Sequence, residues 1–166
     1  MSTAALFFFP VAMVIAASSD LLTMKISNKL VLVLTAGFLI VAIATNLPLQ
    51  QFAMHVLCAL IVLAVAFGLF ALRLIGGGDA KLAAATTLWL GFGMTLPYLA
   101  YTALFGGVLT ILILVMRGVP LNPALARMGW LARLHNKRSG IPYGIAMAVA
   151  GVMVYSNSAI FERLAA

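Results

Sequence analysis

Two residues dominate any chemical reading of this chain. Asp20 and Asp79 are its only aspartates, among just three acidic residues in 166. Two carboxylates that share a site resist double ionisation, so one proton is held between them. The ionised partner can draw a proton from water as that water attacks a peptide carbonyl. The protonated partner can hydrogen-bond the carbonyl oxygen and support departure of the amine. Such a pair titrates as a unit. Asp79 follows Gly76, Gly77 and Gly78 in the run Ile75-Gly76-Gly77-Gly78-Asp79-Ala80-Lys81-Leu82. Three glycines disfavour a helix by about 1 kcal/mol each relative to alanine. They permit positive φ and let a second backbone approach the acid closely. The plain alternative is a flexible loop in which Asp79 caps a helix starting at Ala80.

Other chemistries fit less well. His55, His135 and the single Cys58 make no zinc pattern, and no metal or other cofactor is expected. His55 reads as a packed or interfacial side chain and His135 as a solvated one. No serine has a histidine and an acid nearby in sequence. The Gly76–Lys81 run lacks phosphate-loop spacing and a Ser or Thr after its lysine.

The elements that must carry these acids are membrane helices. Hydrophobic residues form 65% of the chain and charged residues 8%, and the mean hydropathy is +1.20. A soluble domain has about 45–50% apolar and about 25% charged residues, so bilayer is the expected solvent. The expectation is an all-α, single-domain polytopic protein over residues 1–166. Six apolar stretches run roughly Thr3–Ser19, Leu30–Thr45, Phe52–Leu72, Leu82–Leu96, Tyr98–Met116 and Ile141–Ile160. Gly91, Gly93 and Pro97 mark a break between the fourth and fifth. The first stretch has no basic residue ahead of it and reads as a span rather than a cleaved signal.

Six spans place nine of the ten basic residues on one side, leaving only Arg163 on the other. The positive-inside rule puts that side in the cytoplasm and both termini outside it. Asp20 and Asp79 then share the cytoplasmic face. An acid at membrane depth is a functional candidate by default. Between spans five and six, Arg117–Gly140 interleaves basic residues with Leu125, Met128, Trp130, Leu131 and Leu134. A helix over Pro123–His135 lying on the membrane surface accounts for them, with anionic lipid as the contact and no nucleic acid required.

These residues resemble the type IV prepilin peptidase family of GxGD membrane aspartic proteases. Gly76-Gly77-Gly78-Asp79-Ala80-Lys81-Leu82 is similar to the family motif with its following Lys and Leu. Ser19-Asp20-Leu21 with Lys25-Ile26-Ser27-Asn28 is similar to the first-aspartate region, although Ser27 stands where family members often have Pro. Ile141-Pro142-Tyr143-Gly144-Ile145-Ala146 resembles a third family feature. The resemblance implies Asp20 and Asp79 as catalytic residues and cleavage, at the cytoplasmic face of the inner membrane, of short basic leaders. The substrates would be prepilins or pseudopilins with a hydrophobic helix after the cut. Gly76, Gly77 and Gly78 would shape the approach to Asp79, with Lys81, Lys25 and Asn28 as supporting or turn residues. The chain starts directly with a span and lacks paired cysteines. It is therefore similar to the short, peptidase-only branch serving Flp-type tight-adherence pili, beside which archaeal preflagellin peptidases stand as a second short branch.

The competing class is a non-enzymatic assembly or transport subunit. Transporters place polar sites near the bilayer midplane, whereas these acids fall at helix ends. The oligomeric state is not specified by the sequence.

Overall fold

Apolar solvent leaves backbone N–H and C=O groups no partner outside the chain, so apolar stretches of this length fold as helices. The computed structural model describes residues 3–165, and it is all-helical, with no strand among the described residues. Four long helices come first: α1 (Thr3–Thr23), α2 (Asn28–Ala44), α3 (Leu49–Ala71) and α4 (Gly77–Gly118). Two short ones follow, α5 (Pro123–Ala126) and α6 (Gly129–His135), and then α7 (Tyr143–Tyr155) and α8 (Ala159–Ala165).

Local chemistry sets the joints. Met24, Asn46 and Arg73 take positive φ just beyond α1, α2 and α3, the left-handed turn that ends many helices. Ser27 starts α2 as its N-cap, its Oγ accepting the Leu30 N–H at 3.2 Å. The serine thus serves the entry to α2 by capping. Ser27→Ala is expected to cost about 1 kcal/mol, read from unfolding in detergent micelles. An unchanged midpoint would show that the Leu30 N–H finds another acceptor.

The largest departure from expectation is α4. The fourth and fifth expected spans form one 42-residue element, interrupted where Gly91 takes φ 66 and ψ 179. The break falls at Gly91, and Pro97 lies inside the following helical arm. Contacts with α3 show what the break does. Gly77 packs on Phe70 near the end of α3, and Leu88 meets His55 near its start. Beyond the break, Gly91 abuts His55, and Thr95 pairs with Cys58 one turn further along α3 at 3.1 Å. The first arm (77–90) therefore runs against α3, and the second (92–118) returns alongside it.

His55 secures the turn. Its Nδ1 donates to the Leu88 carbonyl at 2.8 Å, and it is buried. The neighbouring core centres on Trp89, which has no exposed surface. The Phe8, Phe9, Phe38 and Tyr155 rings lie 5.5–6.3 Å from it. Its Nε1 donates to the Leu34 carbonyl at 2.9 Å. Trp89→Phe keeps an aromatic ring but loses this bond between α2 and α4. The expected loss is about 1 kcal/mol, measured by unfolding. A loss near zero would show the bond to be replaced.

Three helices are long and apolar enough to cross a membrane: Ala5–Thr23, Leu49–Ala71 and Gly77–Gly118. The pair Tyr143–Tyr155 and Ala159–Ala165, bent by 56°, passes together as a fourth. That count is smaller than six for physical reasons. Helix α2 has 17 residues, about 25 Å of rise, and α4 holds two arms. The last stretch, expected as one span over Ile141–Ile160, is broken between α7 and α8. The basic segment also differs from the single helix expected, because an extended Met128 (φ −79, ψ 103) divides it into α5 and α6.

Candidate active site

Asp20 lies in the last turn of α1. The helix continues to Thr23, beyond the end expected from hydropathy, and the Met24 N–H bonds the Asp20 carbonyl at 2.8 Å. Its side chain is buried, 6% exposed. Asp20 Oδ2 accepts the Gly144 backbone N–H at 2.7 Å, which joins α1 to the first turn of α7.

Asp79 sits in the first turn of α4. Gly76 is the N-cap residue and the helix opens at Gly77, so Asp79 lies inside the helix and does not cap it. Its carboxylate turns back on the cap. A Cβ on Gly76 would lie 2.9 Å from Asp79 Oδ2. Asp79 is half-buried, and the α1–α2 connection that follows Asp20 packs through Ile26 on the adjacent Gly78. The two acids, far apart in sequence, thus occupy one end of the bundle.

The glycine run acts through space rather than through unusual dihedrals. Gly76 has φ −74, and Gly91 is the glycine with positive φ among the described residues. A Cβ on Gly77 would sit 3.2 Å from the Phe70 ring, and one on Gly78 would sit 3.2 Å from Ile26 Cβ. Gly78 thereby lets the α1–α2 connection lie directly on the start of α4. Lys81 Nζ donates to Asn28 Oδ1 at 3.0 Å, joining the same two helix starts. Lys25 contributes through its backbone, since its carbonyl accepts from Ser19 Oγ at 2.9 Å and Thr23 Oγ1 at 3.2 Å while its side chain is exposed.

Three contributors carried no role in the sequence reading. Gly144 donates to Asp20, as above. Arg117 opens the basic segment expected at the membrane surface, yet it is buried and donates to the carbonyls of Leu134, Ser139 and Gly140 at 2.8–3.1 Å. Arg133 donates to the Leu22 carbonyl at 2.8 Å, gripping the last turn of α1. The available signal was Pro142, which opens α7 without a side-chain cap and so leaves an N–H for another acceptor. His135, expected to be solvated, is half-buried with its Nδ1 shielded.

Among the described residues no three of His, Cys, Asp and Glu form a metal-holding group. Two open cavities of about 330 and 580 Å³ lie at the other end of the bundle, around Gln51 and Glu162. Arg163 is there too, bonded to Gln51 at 3.0 Å.

Fold and site together define a helical membrane protein whose two aspartates are brought to one end by separate helices. The family model for type IV leader peptidases matches residues 7–111, a stretch that holds both aspartates and the glycine run. The chain belongs to the type IV leader peptidase family, and that membership indicates a peptidase. No curated protein and no solved structure matches the chain.

Proposed function

We propose that this chain is a membrane aspartic endopeptidase that removes the short basic leader from prepilins or related pseudopilins. The observation that supports the proposal is the packing of the α1–α2 connection, just after Asp20, on the start of α4, which carries Asp79, in a member of the leader peptidase family. One carboxylate takes a proton from water, whose oxygen attacks the scissile carbonyl. The other gives a hydrogen bond to the developing oxyanion. Collapse of the tetrahedral species breaks the C–N bond, and the amine leaves with a proton from the pair. Water activation of this kind needs no metal and no cofactor.

The topology we propose has six passes: α1, α2, α3, the two arms of α4, and α7 with α8. The aspartate end, where the basic residues cluster, faces the cytoplasm, and both termini lie outside it. Leu125 and Met128 are exposed beside Arg127, Lys137 and Arg138. That mixture suits α5 and α6 to an anionic lipid surface. The substrate helix would lie in the bilayer beside the bundle and present its leader at the aspartate end. Inner-membrane location belongs to the same proposal.

The test is reconstitution. Purified protein in proteoliposomes is given a prepilin-type substrate, and the products are mapped by mass spectrometry. Cleavage at the leader junction is expected. An intact substrate, with protein shown to be folded, would overturn the assignment in favour of a non-enzymatic subunit.

A further inference from the structure

Helix α7 begins with an unfilled requirement. Its N-cap residue is Pro142, which offers no capping side chain. The first N–H groups of a helix ordinarily take a side-chain oxygen from the N-cap residue. Here the acceptor comes from another helix, because Asp20 Oδ2 takes the Gly144 N–H at 2.7 Å. The approach depends on the absence of a side chain at Gly144. A Cβ there would lie 2.8 Å from Asp20 Oδ2, 2.9 Å from its Cβ and 3.2 Å from its Cγ. The surroundings fix this register from several sides. The Tyr143 ring fills a notch where a Cβ on Gly106 would come within 2.5 Å, and its hydroxyl lies 3.3 Å from Thr110 Oγ1. Arg117 ties down the Ser139 and Gly140 carbonyls just before α7, while Arg133 holds the Leu22 carbonyl just after Asp20. Gly144 also lies beyond the stretch that the family model matches.

We propose that Gly144 is a positioning residue for the aspartate pair, its N–H holding Asp20 Oδ2 and its missing side chain letting α7 close on that carboxylate. Oδ1 takes no part in that bond and is the oxygen left for the water to be activated. The inference rests on the two-aspartate peptidase reading. It predicts that the α7 start and Asp20 move as one unit, so a small displacement of either misplaces the reacting oxygen.

Two measurements test it, and one does not depend on activity. Tyr143–Gly144 is the one Tyr-Gly step in the sequence, so carbonyl-13C tyrosine with 15N glycine gives a single labelled amide. That resonance should keep its low-field position in Asp20→Asn, which retains an acceptor oxygen, and move upfield in Asp20→Ala. A position indifferent to Asp20→Ala would overturn the inference whatever the enzyme does. In the cleavage assay, Gly144→Ala should lower kcat on the order of 100-fold with KM unchanged. Wild-type kcat in a folded Gly144→Ala protein, or a defect confined to KM, would overturn it. Should Asp20→Asn cleave at the wild-type rate, the two-aspartate mechanism falls, and with it the catalytic role given to Gly144. The labelled amide would still show whether the bond exists, so the two failures are distinguishable.

Discussion

Asp20→Asn and Asp79→Asn, each alone, are expected to reduce leader removal by about 10³-fold or more, the scale of lost general acid–base catalysis. That corresponds to roughly 4 kcal/mol of barrier. Asparagine has the shape of aspartate but cannot take up or hand on the proton that the mechanism moves. It is also a fair control for folding. Asn at position 20 still presents an oxygen to the Gly144 N–H, and asparagine is as good a helix cap as aspartate. At position 79 the amide oxygen can still face Gly76, and no charge is added to the site. Both variants should therefore unfold at temperatures close to the parent. The assay is cleavage of a prepilin-type substrate in proteoliposomes, with unfolding followed in parallel. Near-wild-type cleavage by either folded variant would defeat the two-aspartate mechanism while leaving the family membership untouched.

Gly91→Ala is expected to lower stability by roughly 3–5 kcal/mol, combining a backbone conformation open essentially to glycine alone with overpacking of a filled site. The dihedrals φ 66 and ψ 179 supply the first cost. A Cβ 2.9 Å from His55 Cε1 supplies the second. His55 cannot retreat without giving up its 2.8 Å bond to the Leu88 carbonyl. Gly93→Ala is the matched control, because a Cβ there meets nothing within 4 Å. It should stay within about 0.5 kcal/mol of the parent. Unfolding in mixed micelles measures both. Equal stabilities for the two variants would show that the reversal of α4 does not depend on Gly91. The same turn lets the second arm return toward the aspartate end, where Tyr143 packs against Gly106 and Arg117 holds the loop before α7. Gly91→Ala should therefore also depress cleavage, although it lies at the other end of the bundle.

Composition alone settled the solvent and hence the class. A chain with 65% hydrophobic and 8% charged residues must satisfy its backbone internally, and helices follow. The same scarcity of charge made Asp20 and Asp79 stand out, and the glycine run before Asp79 marked a close approach. The break between the fourth and fifth apolar stretches was legible as a region holding Gly91, Gly93 and Pro97. Which of them turns the chain was not. Proline and two glycines all weaken a helix in sequence, and only packing against His55 selects Gly91 as the residue that adopts the turn.

The packing around the aspartates was decided in three dimensions. A run of glycines reads as conformational freedom, yet Gly76, Gly77 and Gly78 serve as space for Asp79, Phe70 and Ile26. Lys81 and Asn28 are 53 positions apart in sequence, and the fold makes them partners. Arg117 and Arg133 looked like surface charge because a basic side chain in a loop ordinarily is. Their carbonyl partners come from residues that no periodicity connects to them. The sequence by itself determined that this protein is helical and apolar enough for a membrane, and that it holds two aspartates as candidates for chemistry. The loop charges had already put Asp20 and Asp79 on one face, and tertiary structure alone decided that the α1–α2 connection packs on the start of α4 and that Gly144 holds Asp20. The physical reason is that a hydrogen bond across helices depends on register and close approach, and neither is written in the spacing of residues along one chain.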